Sequence, residues 1–179
     1  ASHEAVSDLI FGVANPCGKL AESFPVKLSD NPSYFNFPGT GKTVEYRESI
    51  FVGYRYYDKM GKVLFPFGHG LSYTKYEYSN LVATKNQVTL DVTNIGERAG
   101  AEIVQLYISK KDSAIFRPVK ELKGFAKVYL EPGETKQVTI SIDDSAYQIY
   151  NNGFVTENGD YQILVGASSA DIRLDATVS

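Results

Sequence analysis

The chain has no tryptophan, one methionine and one cysteine among 179 residues. The lone Cys17 excludes an internal disulfide and any metal site built from several cysteines. No apolar run approaches the roughly 18 residues needed to cross a bilayer as a helix. There is no Lys/Arg cluster, and 18 basic against 21 acidic side chains leave a formal net charge of −3. Such a chain lacks the electrostatic footprint of a nucleic-acid or anionic-membrane binder, so neither is expected as a partner. The Asn31-Pro32-Ser33 string carries the proline that blocks glycosylation. Ala1-Ser2-His3-Glu4 shows neither a basic n-region nor an apolar stretch, so no signal peptide is expected there. That start also lacks a Met, which fits a processing point or a break in a longer chain.

What is present is ordinary globular material, 43% hydrophobic and 22% charged, with 13 Tyr and 10 Phe to bury. Against roughly 150 residues per domain, the length suggests one domain plus part of another, or two small ones. Ala5, Val6, Leu9 and Ile10 predict a short amphipathic helix over residues 3–11, ended by Gly12. A helix beginning so early, with no element before it, reads as the tail of something larger. Asn15 to Gly18 predicts a turn, and Lys19 to Pro25 an edge strand closed by its proline. Residues 26–45 show no sustained period, and Tyr46 to Asp58 is rich in β-branched and aromatic residues. Phe65 to Tyr73 has the punctuation of a linker with apolar anchors.

From about Thr74 the texture changes. Val88, Leu90 and Val92 alternate with Thr89, Asp91 and Thr93, and Val138, Ile140 and Ile142 alternate with Thr139 and Ser141. Ile103–Ile108 predicts a more fully buried strand and Tyr161–Val165 another. Asn94-Ile95-Gly96, Glu131-Pro132-Gly133, Asn152-Gly153 and Asn158-Gly159 supply turns. Short strands at this spacing predict an antiparallel β-sandwich of about 100 residues.

Few strings carry chemistry. Pro38 to Thr43 resembles the end of a phosphate-binding loop, but position 36 is Asn36 where that motif needs glycine, and no helix pattern follows. His69, between two glycines, is expected to fill a gap at a junction and donate one hydrogen bond rather than act as a base. Cys17 has only distant histidines to activate it. Glu45, Glu48, Asp58 and the pair Asp143-Asp144 are the carboxylates worth weighing, since two of them about 5–10 Å apart can run glycoside hydrolysis. Arg47 and Arg55 are expected to pair with Glu45, Glu48 and Asp58 and keep them ionised, and Asp143-Asp144 to serve a turn. The aromatic set Tyr34, Phe35, Phe37, Tyr46, Phe51, Tyr54, Tyr56 and Tyr57 suits either sugar stacking or burial of one layer against another, and burial is favoured.

Several strings together resemble one family, the C-terminal portion of family 3 glycoside hydrolases of the β-glucosidase type. They are Asn15-Pro16-Cys17-Gly18-Lys19-Leu20 with Phe24-Pro25, Tyr46 to Asp58, Phe65 to Thr74, Val92-Thr93-Asn94, Ala99 to Glu102, Val104 to Tyr107, Arg117 to Phe125 and Pro132-Gly133-Glu134. The resemblance covers essentially the whole chain in the family's usual order. Cys17, Ala21-Glu22 and Ser49 depart from residues common in the family, all within structural strings.

The resemblance implies a mainly β fold: residues 1–73 as the C-terminal tail of an α/β sandwich domain with an aromatic loop, and residues 74–179 as a fibronectin type III-like antiparallel β-sandwich. It implies hydrolysis of β-O-glycosidic bonds with retention, through a covalent glycosyl-enzyme. In that family the nucleophilic Asp lies in an N-terminal barrel, within a Ser-Asp-Trp type motif, and the acid/base Glu lies earlier in the α/β sandwich domain. With no Trp and a later start, this chain holds neither, so no catalytic residue, metal or cofactor is assigned to it and its substrate-binding residues stay open. Alone it should be inert. The implied partners are the missing N-terminal barrel and α/β sandwich portion, as a separate chain or the rest of one enzyme, with a β-glucoside bound by the whole. Two rivals stand beside this reading: an enzyme acting alone through Glu48 with Glu45 or Asp58, and a stand-alone carbohydrate-binding or structural sandwich with Tyr34 and Tyr56 as platform. The single cysteine, the absent sequon and the resemblance to soluble bacterial enzymes suggest a cytoplasmic location.

Overall fold

The computed structural model describes residues 2–39 and 41–179. The first stretch is sparse in regular structure. Helix α1 (Ser2–Ile10) forms where the sequence predicts it. Of the strand expected over Lys19–Pro25, only β1 (Phe24–Pro25) is paired, antiparallel to β2 (Val63–Phe65). The proline and the lack of a third strand leave the ladder nothing to extend along. A 3₁₀ turn at Leu28–Asp30 and further turns occur within residues 26–39 and 41–52. Thr40, inside the Pro38–Thr43 string, lies outside the described residues; around it the backbone turns without entering a helix. Helix α2 (Tyr54–Met60), absent from the sequence expectation, follows Gly53.

The remainder is the expected sandwich. Strands β3 (Tyr76–Ala83), β4 (Gln87–Asn94) and β7 (Thr135–Ser141) make one sheet in the order β3-β4-β7. Strands β5 (Gly100–Ser109), β6 (Glu121–Leu130), β10 (Tyr161–Ser168) and β11 (Asp171–Val178) make the other, in the order β11-β10-β5-β6. A hairpin of β8 (Gln148–Tyr150) and β9 (Phe154–Thr156) stands apart, turned by Asn152 and Gly153, both at positive φ. Every pairing is antiparallel. The alternating valines, leucines and isoleucines of β4, β5, β7 and β10 interdigitate in one core, where Val88, Leu90, Val104, Leu106 and Ile163 have no solvent exposure. Among the described residues, Tyr54 is the only apolar side chain of the first 73 that is buried.

β5 is buried along nearly its whole length. Val104, Leu106 and Ile108 face the core, so Gln105 and Tyr107 face the other way, and both are buried there too. The tail meets that outer side at Gly68, which bonds Gln105, and at Tyr54, which packs on Tyr107. The junction is fixed by Asn94, which is fully buried. Its Oδ1 accepts from the Thr74 hydroxyl at 2.6 Å and the Gly96 amide at 3.1 Å. Its Nδ2 donates to the Arg98 and Leu130 carbonyls at 2.7 and 3.1 Å. Replacing Asn94 by Ala leaves buried groups unpaired at about 1–3 kcal/mol each. Urea unfolding of Asn94→Ala should show a midpoint lowered by the equivalent of about 3 kcal/mol or more at unchanged slope; a loss under about 1 kcal/mol contradicts this role.

Candidate functional site

Two features set the tail apart from an ordinary loop: how it is held, and what it leaves uncovered. It is held by polar groups along β5 and just before it. The Gln105 Nε2 donates to the carbonyls of Gly68 at 3.2 Å and Ala167 at 2.7 Å, and its Oε1 accepts from the Tyr107 hydroxyl at 2.6 Å. Gly68 sits at φ +78°, and a Cβ there would overlap the Gln105 carboxamide, so glycine is required twice over. Lys19 pairs with the buried Glu102 at 2.9 Å. Asn15 donates to the Ala99 carbonyl at 3.0 Å and accepts from the Ser72 hydroxyl and Tyr73 amide, each at 2.9 Å.

Helix α2 docks the other end. Between Leu106 and Tyr107 the ladder to β6 skips from Gly124 to Leu122, a bulge at Lys123. The Leu122 N–H turns outward and donates to the Tyr54 hydroxyl at 2.7 Å. The Tyr54 ring stacks on Phe67 and meets the edge of Tyr107, with centroids 4.8 and 5.9 Å away. One turn on, Asp58 pairs with Lys120 of the β5–β6 loop at 2.7 Å. Burial pushes the Asp58 carboxyl up, and the hydrogen bond and charge of Lys120 offset this only in part. The same loop is tied down by Glu157, which accepts from Ser113 at 2.6 Å, Ala114 at 2.9 Å and Arg117 at 3.2 Å. Burial alone pushes the Glu157 carboxyl up, but these bonds outweigh it and hold it below the usual range.

The tail leaves its own apolar side chains uncovered. Val6, Ile10, Phe11 and Val13 of α1 and its exit are exposed, as are Val26 and Leu28. Phe35 and Tyr46 are 86% and 89% exposed, and Phe37 is also largely so. The aromatic set therefore splits. Tyr34, Phe35, Phe37 and Tyr46 face out, whereas Phe51 packs on Phe116, Tyr54 is buried, and Tyr56 and Tyr57 pack edge to face at half-buried positions. Large exposed apolar side chains in this number mark a contact surface.

Most of the carboxylates weighed from sequence have structural partners. Glu45 pairs with Arg47 at 2.6 Å, as expected. Arg55 goes instead to Glu121, 3.9 Å away, and Asp58 to Lys120, so neither makes the expected local pair. The reason is that α2 turns both toward the sandwich loop. Glu48 has no ion pair or side-chain hydrogen bond among the described residues. Asp143 caps the 3₁₀ turn Asp144–Tyr147 by accepting from the Ser145 amide at 2.9 Å, and the Ser145 hydroxyl together with this amide holds its carboxyl below the usual range. His69 stacks on Phe65 with ring centroids 5.2 Å apart; among the described residues its ring donates no hydrogen bond, and its backbone carbonyl accepts from Leu20. Cys17 is half-buried beside Asn15. Sequence reasoning missed Gln105, Asn94 and Asn15; the one available signal was a glutamine within the apolar run Ile103-Val104-Gln105-Leu106.

Residues 1–73 match the profile of the glycosyl hydrolase family 3 C-terminal domain, and residues 102–169 that of the fibronectin type III-like domain. The chain is 53% identical to the thermostable beta-glucosidase B of Acetivibrio thermocellus, over 97% of its own length and 25% of that protein's. It is 48% identical to the probable beta-glucosidase K of Emericella nidulans, over 97% and 21%. The crystal structure of the GH3 beta-glucosidase of Bifidobacterium adolescentis superposes with a TM-score of 0.93 at 40% identity, covering 98% of this chain and 27% of that one. The chain thus spans about a quarter of the length of the relatives it matches.

Tyr54→Phe keeps the ring and removes the acceptor for the Leu122 amide. Urea unfolding should show a loss of about 1–3 kcal/mol; an unchanged midpoint means water replaces the hydroxyl. Asp58 holds its proton to higher pH in the folded chain than in the unfolded one. Its contribution is therefore fullest below the ordinary Asp value of about 3.9 and is lost as pH rises through the raised folded value. Relative to the parent, Asp58→Asn should gain stability with rising pH across that window and then level off. A difference that is flat, or that falls with pH, contradicts the assignment.

Proposed function

The chain belongs to the family 3 glycoside hydrolases, carrying their C-terminal portion with its fibronectin type III-like domain, and we propose that it supports the catalytic domains of a retaining β-glucosidase-type enzyme without performing the chemistry itself. The observation that carries this reading is the contrast within the tail: it is clamped to the sandwich by polar bonds, yet leaves large apolar side chains exposed. Val6, Ile10, Phe11, Phe35 and Tyr46 are placed to pack on the barrel and the rest of the α/β sandwich domain, with the sandwich bracing the tail from behind. In this reading the two units meet at residues 73 and 74, tail before and sandwich after, and both catalytic carboxylates come from outside the chain. The substrate of the whole enzyme is a β-glucoside.

The purified chain is expected to leave p-nitrophenyl β-glucoside intact. Mixed with the N-terminal remainder of the Acetivibrio thermocellus relative, it should form a complex that hydrolyses the substrate several orders of magnitude faster than either part. Two folded parts that fail to associate overturn the supporting role. Hydrolysis by the pure chain, abolished in Glu48→Gln, would instead place the chemistry here.

A further inference from the structure

The aromatic segment also forms a cavity with the sandwich. Phe116, on the β5–β6 loop and 74% exposed, leans across to the tail and packs on Phe51, with ring centroids 4.8 Å apart at 47°. Beside the pair is a cavity of about 300 Å³, walled further by Tyr56 and Met60 and edged by Glu48 and Lys59. It is assembled from both halves of the molecule, and the ion pair between Asp58 and Lys120 fixes their spacing.

Two polar side chains of this cavity, Glu48 and Lys59, make no ion pair among the described residues. Glu48 is half-buried and has no partner among the described residues, whereas Glu45, Glu102, Glu121 and Glu157 are all paired. The Lys59 ammonium lies over the Phe51 and Phe116 rings at 4.5 and 4.1 Å and makes no ion pair among the described residues. Arg47, also on the rim, is committed to Glu45. The cavity therefore offers one free acceptor, one free donor and aromatic walls, with no net charge. An anion meets Glu48 and a cation meets Lys59, each at close range. A wholly apolar guest strips water from Glu48 and returns no hydrogen bond. A neutral ring with adjacent hydroxyls on its rim and C–H bonds on its face meets every group present. The volume, at the lower end for ligand sites, admits one such ring.

We propose that this cavity binds a single neutral pyranose unit, with the Glu48 carboxylate accepting from ring hydroxyls, the Lys59 ammonium, seated on the Phe51 and Phe116 rings, donating to another, and Tyr56 lining the C–H face. The site lies within this chain and does not depend on the supporting role; it is read without any added polypeptide, so failure of one proposal leaves the other standing.

The test is an NMR titration of the 179-residue chain with methyl β-D-glucopyranoside, following amides of residues 46–60 and 113–118. Saturable shifts confined to these segments are expected. Glu48→Gln and Phe116→Ala should each weaken binding about tenfold, with far-UV circular dichroism unchanged. Sodium glucuronate, phenol and methylguanidinium chloride serve as anionic, apolar and cationic probes and should bind more weakly than the sugar. Absence of saturable shifts at sugar concentrations well above about 1 mM overturns the proposal, as does binding that neither substitution affects. Preference for phenol would identify an apolar hole. Preference for methylguanidinium, lost in Glu48→Gln, would identify a socket for a basic side chain. Either result overturns the sugar assignment.

Discussion

The carboxamide of Gln105 lies where the sandwich and the tail share a wall, and the arrangement of both follows from satisfying it. A buried amide costs several kcal/mol unless its donors and acceptor find partners. Here the partners come from the tail at Gly68, from β10 at Ala167, and from Tyr107 on the same strand. β5 cannot turn this side to water, because its apolar alternation already commits the other side to the core. The tail is thus part of the strand's hydrogen bonding, and its route over residues 66–70 is set within a few ångströms. Gly68 completes the constraint, since any side chain at that positive φ would displace the carboxamide.

From this follows a division of labour within the tail. Toward the sandwich it uses directed polar contacts, individually modest but costly to break by halves. Away from the sandwich it presents apolar area, which has no direction and rewards only burial. Polar contacts fix orientation and apolar area supplies affinity, so the tail is oriented by one neighbour and shaped to adhere to another. The turn of character falls near residue 50. Upstream, Phe35, Phe37 and Tyr46 stand in solvent; downstream, Phe51 and Tyr54 pack on side chains of the sandwich. One continuous aromatic string serves two surfaces, and composition alone could not divide it.

That limit recurs along the chain. β4 and β7 were legible because one face of each is buried and the other wet, which writes a period of two into the sequence. β11 carries the same signal, Ile172, Leu174 and Ala176 alternating with Arg173 and Asp175, and was there to be found. β6 was not, since Phe125 and Tyr129 face solvent while Ala126 and Val128 pack inward, so apolar residues occupy both faces. Helix α2 is short and built of residues that favour strands; what holds it is tertiary, Tyr54 and Asp58 one turn apart on one face, both bonded to the sandwich. Local proximity misassigned the partners of Arg55 and Asp58 for the same reason: Glu121 and Lys120 lie more than 60 residues away in sequence. The family was legible only through the strings that resemble it, because nothing in periodicity or charge distinguishes this sandwich from others.

Glycoside hydrolysis with retention needs two carboxylates, one held neutral to protonate the leaving oxygen and one ionised to attack, about 5–5.5 Å apart. Among the weighed candidates, Glu45 is held by Arg47, Asp58 by Lys120 and Asp143 by the turn it caps. Each of these three is committed to structure, and an attack would require it to abandon a partner that keeps it in place. Glu48 is free, but a single carboxylate cannot serve as acid and nucleophile in one step. What it can do is accept hydroxyl hydrogen bonds in a cavity of matching polarity, which demands neither a shifted pKa nor a second acid. In that cavity the aromatic walls that Phe51 and Phe116 bring together set the surroundings of Glu48.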